Sequence, residues 1–331
     1  MLVSWNTTNQ CNLYCGHCYR DAGNVMKAEL GTAEAKRLIE DIKKAGFKIM
    51  IFSGGEPLMR PDIYELIRYA REQGLRAVLG SNGTLIDEQA ARQLKAAGIM
   101  AAGISLDSLD EDKHDAFRGL KGASELTREG LNQLKKAGIP FQIHTTVMEW
   151  NSAELESITD FAVAAGAMAH HVFFLVPTGR GADIEQEALR VAEYEKTIAR
   201  LMNKQRQVKI EIKPTCAPQF IRVADKKGIP MRFSRGCLAG ISYCIINPRG
   251  DVQPCAYLDM PLGNVRETPF DVIWHDNQIL KDLRTLEYHG KCGSCEYNER
   301  CGGCRARAYY YSGGDYMAED QWCLYKPAGK H

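Results

Sequence analysis

The sequence has no apolar run long enough to cross a bilayer. Its first residues, Met1-Leu-Val-Ser-Trp-Asn-Thr-Thr8, carry no basic n-region and no extended apolar stretch, so they do not read as a secretory signal. An excess of one charge is lacking too. Lys and Arg total 42 and Asp and Glu 41 in 331 residues. That balance leaves no bulk field for nucleic acid and no polybasic tail for a membrane surface. Internal repeats and low-complexity tracts are absent. Cysteine, by contrast, is plentiful. Twelve cysteines without an export signal read as metal ligands rather than disulfides. The expected home is an anaerobic or microaerobic cytoplasm, because exposed thiolate–metal sites are damaged by oxidants.

The first half alternates short apolar runs with amphipathic ones. Strands are expected at residues 2–7, 48–53, 77–79, 100–105, 141–147 and 171–176. Helices are expected from Thr32 to Gly46, from Asp62 to Gly74, and over 87–97, 126–137 and 152–165. Asn151 and Glu154 read as a capping pair for the last of these. Six βα steps predict parallel strands joined by right-handed crossovers. A long polar helix is expected over 185–205, then a half-buried strand through Val208, Ile210 and Ile212. From about residue 230 the composition shifts to Gly, Cys and Tyr, and such a segment is expected to rely on metal rather than on a large core.

Ligands bind at the C-terminal ends of parallel strands. The motifs follow that rule: a cysteine loop after strand one, Ser53-Gly-Gly-Glu-Pro57 after strand two, Ser81-Asn-Gly83 after strand three and Ser105-Leu-Asp107 after strand four. In the loop, Cys11-Asn-Leu-Tyr-Cys15-Gly-His-Cys18 spaces three thiolates as C-x3-C-x2-C. Thiolates suit iron–sulfur clusters. Three of them leave one iron of a [4Fe–4S] cube open, and an open metal position is where chemistry happens. Zinc prefers four ligands, usually as two separated pairs.

These motifs together resemble the radical S-adenosylmethionine (SAM) superfamily. The resemblance implies a [4Fe–4S] cluster on Cys11, Cys15 and Cys18 whose open iron chelates the amino and carboxylate groups of SAM. An electron from the cluster would cleave the sulfonium C–S bond and give a 5′-deoxyadenosyl radical. It narrows the fold to a (β/α)6 partial barrel over 1–206, a bridging region over 207–236 and a small cysteine-rich SPASM domain over 237–331. Gly54, Gly55, Glu56 and Pro57 match the superfamily's GGEP segment, which hydrogen-bonds the methionine amino group. Ser81 and Asn82 join the cofactor-binding set. Ser105 and Asp107 resemble ribose-binding positions, and Arg118 resembles an arginine that pairs with the SAM carboxylate. Val147 lies where the family passes a strand end beside adenine. His17 stands where Tyr or Phe is more usual, and an imidazole can still stack on adenine.

A second cysteine set runs Cys237-x6-Cys244-x10-Cys255, Cys292-x2-Cys295-x5-Cys301-x2-Cys304 and Cys323. It resembles the SPASM extension, which implies two auxiliary [4Fe–4S] clusters. One would sit on Cys237, Cys244, Cys255 and Cys304, the other on Cys292, Cys295, Cys301 and Cys323. A zinc ribbon over 292–304 would need a longer hairpin. Cys216, in Thr215-Cys-Ala-Pro-Gln219, is left over. Its expected role is ligand to substrate iron, with hydrogen donor, cluster ligand and plain packing as alternatives. That stretch, with Trp5-Asn-Thr-Thr8, Cys18-Tyr-Arg-Asp21 and Pro177-Thr-Gly-Arg-Gly181, resembles the branch that modifies tetrapyrroles in heme d1 and alternative heme biosynthesis.

The branch implies a radical SAM enzyme acting on side chains of an iron tetrapyrrole derived from siroheme or coproporphyrin. Decarboxylation of a propionate to a vinyl group leaves one electron over, which gives an auxiliary cluster a task. Arg180, Lys213, Arg222 and Arg235 are candidates to bind the substrate's carboxylates. A flavodoxin or ferredoxin is the expected electron donor. A maturase of ribosomally made peptides uses the same two modules but would need a peptide clasp, and strand one starts at residue 2. An iron–sulfur carrier would not need the GGEP, Ser105–Asp107 and Arg118 set.

Overall fold

The computed structural model describes residues 1–328, so the last three residues of the expected 237–331 segment lie outside the described residues. Parallel strands alternate with helices through the first two thirds: β1 (Leu2–Asn6), α1 (Thr32–Lys44), β2 (Ile49–Ser53), α2 (Ile63–Glu72), β3 (Arg76–Ser81), α3 (Glu88–Ala97) and β4 (Ala101–Ser105). There follow α4 (Glu111–Arg118), α5 (Ala123–Lys136), β5 (Phe141–Val147), α6 (Leu155–Ala165), β6 (Ala169–Phe174), α7 (Val191–Gln205), β7 (Glu211–Thr215) and α8 (Phe220–Lys226). The remainder contributes β8 (Tyr243–Ile246), β9 (Asp251–Gln253), β10 (Gly263–Asn264), α9 (Phe270–Asp276), α10 (Gln278–Thr285), the short turn α11 (Gly290–Gly293) and α12 (Arg305–Ser312).

Among the described residues the ten strands form one sheet, ordered β10-β9-β8-β1-β2-β3-β4-β5-β6-β7, in which β10 and β7 are the edges. The expected partial barrel is present, with two additions. The 207–236 region supplies a seventh parallel strand, β7, beside β6. The cysteine-rich segment supplies β8, which pairs parallel with β1. Strand periodicity explains the layering. On β5, Phe141, Ile143, Thr145 and Val147 are buried under the helices, while Gln142, His144 and Thr146 face the barrel interior.

Several boundaries differ from expectation for physical reasons. The helix expected from residue 152 begins at Leu155, after a 3-10 turn over Ser152–Glu154. Asn151 does not cap it. Its side chain instead accepts the Met148 amide and donates to the carbonyls of Asp107 and Thr146. Glu154 accepts the Ser108 hydroxyl at 2.6 Å. The expected 185–205 helix is confined to α7, because Glu185 turns aside to accept the hydroxyls of Tyr310 and Tyr311. The strand expected through 208–212 lies at Glu211–Thr215. The cysteine-rich segment is not coreless: Phe270, Trp274, Leu280 and Leu283 join the main core. Phe47 meets Phe270 and Trp274 edge-on at 5.3 and 4.8 Å, a geometry worth about 0.5–1.5 kcal/mol per pair beyond area burial.

Candidate active site and auxiliary metal centres

Close backbone packing shapes the loop after β1. The Gly55 amide donates to the Thr8 carbonyl and the Glu56 amide to the Gln10 carbonyl, both at 2.8 Å. A Cβ on Gly55 would stand 2.3 Å from the Gln10 oxygen, and one on Gly54 would stand 2.6 Å from the Thr8 oxygen. Both positions therefore need glycine. The contact they permit is with the residues leading into Cys11, as well as any approach to a ligand. Cys11, Cys15 and Cys18 pack with Leu13, Leu120 and Ala123 as one small unit.

Glu56 caps the turn that opens at Pro57 and is fully buried. Its carboxylate accepts the Ser81 hydroxyl at 2.9 Å and the amides of Asn82 and Leu58 at 2.9 and 3.2 Å. Burial pushes its carboxyl up to about 7, and those donors pull the other way. Asn82 Nδ2 donates to Asn12 at 2.9 Å and lies 4.0 Å from Cys11 Sγ. The carboxylate thus ties the ends of β2 and β3 to the cysteine loop.

Helix α4 was not anticipated, yet it positions Arg118. Asp110 caps its start and Gly119, at φ 70°, ends it. The amides of Tyr14 and Gly16 donate to the carbonyls of Arg118 and Phe117, so the helix end grips the cysteine loop. Arg118 donates through Nε to Asp107 at 2.7 Å, and its Nη1 lies 3.7 Å from Cys15 Sγ. The other Asp107 oxygen accepts the Thr146 amide at 2.8 Å. Burial alone would raise the Asp107 carboxyl, but the Arg118 guanidinium holds it below the usual range. Both oxygens are engaged on a fully buried side chain, and Asp107 holds Arg118 in place. Ser105 remains half-buried at the end of β4, and Val147 closes β5 as a buried residue. His17 stacks on Phe117 with ring centroids 4.2 Å apart, and its Nδ1 is buried without a partner. Burial pushes this imidazole down to about 3, so the ring is neutral.

The four candidate carboxylate binders separate clearly. Arg180 donates to the carbonyls of Cys15 and Ala22 at 3.0 Å and lies over the Tyr14 ring, so it braces the cysteine loop. Arg222 pairs with Glu195, and Arg235 donates to the carbonyls of Cys237 and Glu299. These three are all engaged by partners within the protein. Among the described residues Lys213 forms no ion pair; its ammonium lies 3.9 Å from the Phe233 ring centroid. It belongs to an interior row that sequence reasoning missed. Ser105, His144, His171 and Lys213 are direct register partners across β4, β5, β6 and β7. The two imidazoles are parallel with centroids 5.3 Å apart, and His144 Nε2 is buried without a partner. Period-two alternation on neighbouring strands could have flagged the row.

The auxiliary cysteines fall into two neighbourhoods. Cys292, Cys295, Cys301 and Cys323 line one cavity with Gly302, Gly303 and Arg222. Cys255 and Cys304 pack together, and Cys216 packs with them. Cys237 is joined to the second set through its amide, which donates to the Cys301 carbonyl. Cys244 stands apart: it is fully buried in the main core as the register partner of Val3 on β1. Among the described residues no three His, Cys, Asp or Glu side chains close around a single ion. A [4Fe–4S] cube spaces its thiolates more widely than one ion does, and thiols brought together on this scale fit such a group.

Residues 5–162 match the model of the radical SAM superfamily, and residues 237–305 match an iron–sulfur cluster-binding domain, SPASM. The chain is 44% identical over 340 residues to the AdoMet-dependent heme synthase of Nitratidesulfovibrio vulgaris, covering 98% of this chain and 92% of that protein. It is 43% identical to the AdoMet-dependent heme synthase of Methanosarcina barkeri, covering 99% and 97%. In fold it is similar to Streptococcus suis SuiB bound to S-adenosylmethionine, with a TM-score of 0.77 at 17% identity over 98% of this chain and 77% of that one. The chain belongs to the radical SAM superfamily, in the SPASM-bearing family that contains the AdoMet-dependent heme synthases.

Proposed function

We propose that this enzyme decarboxylates propionate side chains of an iron tetrapyrrole to vinyl groups, as a heme synthase. When bound, the N-terminal cluster and SAM supply a hydrogen-abstracting 5′-deoxyadenosyl radical. Each propionate then loses one hydrogen atom, carbon dioxide and one electron, and becomes a vinyl group. The electron needs an acceptor, and the two auxiliary thiol sets are read as holders of two further [4Fe–4S] clusters. Three filled clusters correspond to about twelve irons per chain.

The observation that carries the substrate assignment is the unpaired cation inside the barrel. Burial pulls the Lys213 ammonium below its ordinary pKa; the nearby Glu211 carboxylate pulls the other way, but among the described residues no carboxylate lies within ion-pair distance. Glu211, two residues earlier on the same face, has its Oε1 buried without a partner. An anionic side chain entering from the loop end would find Lys213, with His171 and His144 beside it in register. Propionates are anions of that kind. Arg118 and the Glu56 network hold the SAM end of the same barrel.

The test is anaerobic incubation of reconstituted protein with SAM, reductant and iron-coproporphyrin III, with product masses read out. Loss of carbon dioxide and two hydrogens per reacting side chain is expected. Reaction only with a siroheme-derived substrate, through loss of acetate side chains, would overturn the assignment. An electron donor of the flavodoxin or ferredoxin type completes the proposal.

A further inference from the structure

We infer that Cys216, Cys237, Cys255 and Cys304 form the first auxiliary cluster site, and that Cys244 is not a ligand. The inference concerns this chain's ligand set and does not depend on which substrate the enzyme takes.

Strand geometry removes Cys244. Successive side chains on a strand point to opposite faces. Tyr243 and Ile245 share one face of β8, and Cys244 and Ile246 share the other. The Tyr243 hydroxyl donates to Ser4 Oγ at 3.2 Å, on the interior side of β1. Cys244 pairs in register with Val3, on the helix side, and packs in the same core as Leu280 and Leu283. A thiolate there would face hydrocarbon on the wrong side of the sheet.

Cys216 takes the vacated place. It lies in the loop that leaves β7 and packs in one cluster with Cys255, Cys304 and Leu258. Cys237 approaches through its neighbour: a Cβ on Gly236 would stand 2.5 Å from Pro218 Cβ. Only glycine lets the segment carrying Cys237 lie that close to the Cys216 loop.

The backbone at Cys216 is held in an uncommon conformation. Its φ is 60°, in the left-handed region that non-glycine residues occupy rarely. Arg307 Nη1 donates to its carbonyl at 3.0 Å. Arg307 is paired with Asp320, and both side chains are fully buried. Asp320 also accepts the Cys304 amide at 2.9 Å and the Gln219 side chain at 2.7 Å. One ion pair therefore fixes two thiols from distant parts of the chain relative to each other. This is the supporting shell that a cluster site requires.

The test uses full-length protein, reconstituted anaerobically with iron and sulfide, and reads iron, sulfide and the electron paramagnetic resonance spectrum. Cys216→Ala is expected to lose about four irons, as is Cys255→Ala, or to convert that cluster to a three-iron form. Cys244→Val, which keeps core volume, should retain full iron and an unchanged spectrum. Far-UV circular dichroism and iron on the N-terminal cluster serve as folding controls. If either control fails for Cys216→Ala, Cys216→Ser is read in its place, with a shifted auxiliary signal expected. Retention of the wild-type auxiliary signal in the Cys216 variant, or loss of iron in Cys244→Val, overturns the inference. A change in the absorption spectrum of bound iron tetrapyrrole with all clusters intact would also overturn it, because Cys216 would then be a ligand to substrate iron.

Discussion

Arg118 serves two partners at once. Its Nε and Nη2 hold Asp107 while Nη1 lies beside Cys15 Sγ. Truncating it leaves a buried carboxylate unpaired, which typically costs about 3–5 kcal/mol of stability. Arg118→Ala is therefore expected to lower the unfolding midpoint as well as weaken SAM binding. The binding loss should be about 1.5–3 kcal/mol, roughly tenfold to 150-fold in Kd. Asp107→Asn keeps the shape and removes the charge, so it should reproduce part of both effects by loosening Arg118. Calorimetric titration of each variant with SAM checks this, and wild-type affinity in both would remove Arg118 from the cofactor site. At Lys213 the expectation is different. Lys213→Met should weaken iron-tetrapyrrole binding about tenfold or more, the scale of one charge-assisted contact. Uncoupled SAM cleavage should continue at its wild-type rate. Equal substrate affinity would mean that the interior row binds no carboxylate.

Elements with apolar periodicity were legible in the sequence, and elements that bury polar side chains were not. Helix α4 buries His114 and Arg118, so its inner face carries no hydrophobic stripe. Its cap residues, Asp110 and Gly119, were the available signal. The ligand sets were legible as a count of cysteines but not as a geometry. Whether Cys244 or Tyr243 faces the interior is a one-residue question on a strand, and the pairing of β8 with β1 decides it. In the turn after β2 the glycines were legible as a close backbone approach, but the partner the structure shows, the backbone of Thr8 to Gln10, was not. Gly55→Ala should push the cysteine loop away from β2, since its methyl would meet the Gln10 carbonyl. The expected result is loss of about four irons from the N-terminal site, with the auxiliary clusters retained. Iron analysis with spectra of the reconstituted variant would show it, and full iron with normal SAM cleavage would contradict it.

At the scale of the whole molecule, one sheet runs from the cysteine-rich segment through the barrel to β7, so both ends of the chain share one framework. Placing β7 last in the order brings the Cys216 loop from the far edge toward Cys255 and Cys304, a long-range closure that composition and periodicity do not encode. The framework also buries several histidines as neutral rings. His170 sits between the hydroxyls of Thr159 and Thr145, each 2.9 Å from a ring nitrogen. Burial pushes His170 down to about 3 and His144 down to about 4. An unfolded histidine binds its proton near pH 6.5, and these rings in the folded protein do not. Their contribution to stability is therefore fully present above about pH 6.5 and is lost progressively as pH falls toward 3–4. Below pH 6.5 each such ring adds up to ~1.4 kcal/mol per pH unit to the slope of stability against pH. Urea unfolding of the reconstituted protein at pH 7, 6 and 5 should show a falling midpoint with iron still bound. His170→Gln keeps hydrogen-bonding capacity without a titrating ring, so its slope should be shallower by up to that amount. An identical slope in the two proteins would mean that His170 is protonated in the folded state and that its burial between two threonines does not exclude the charge.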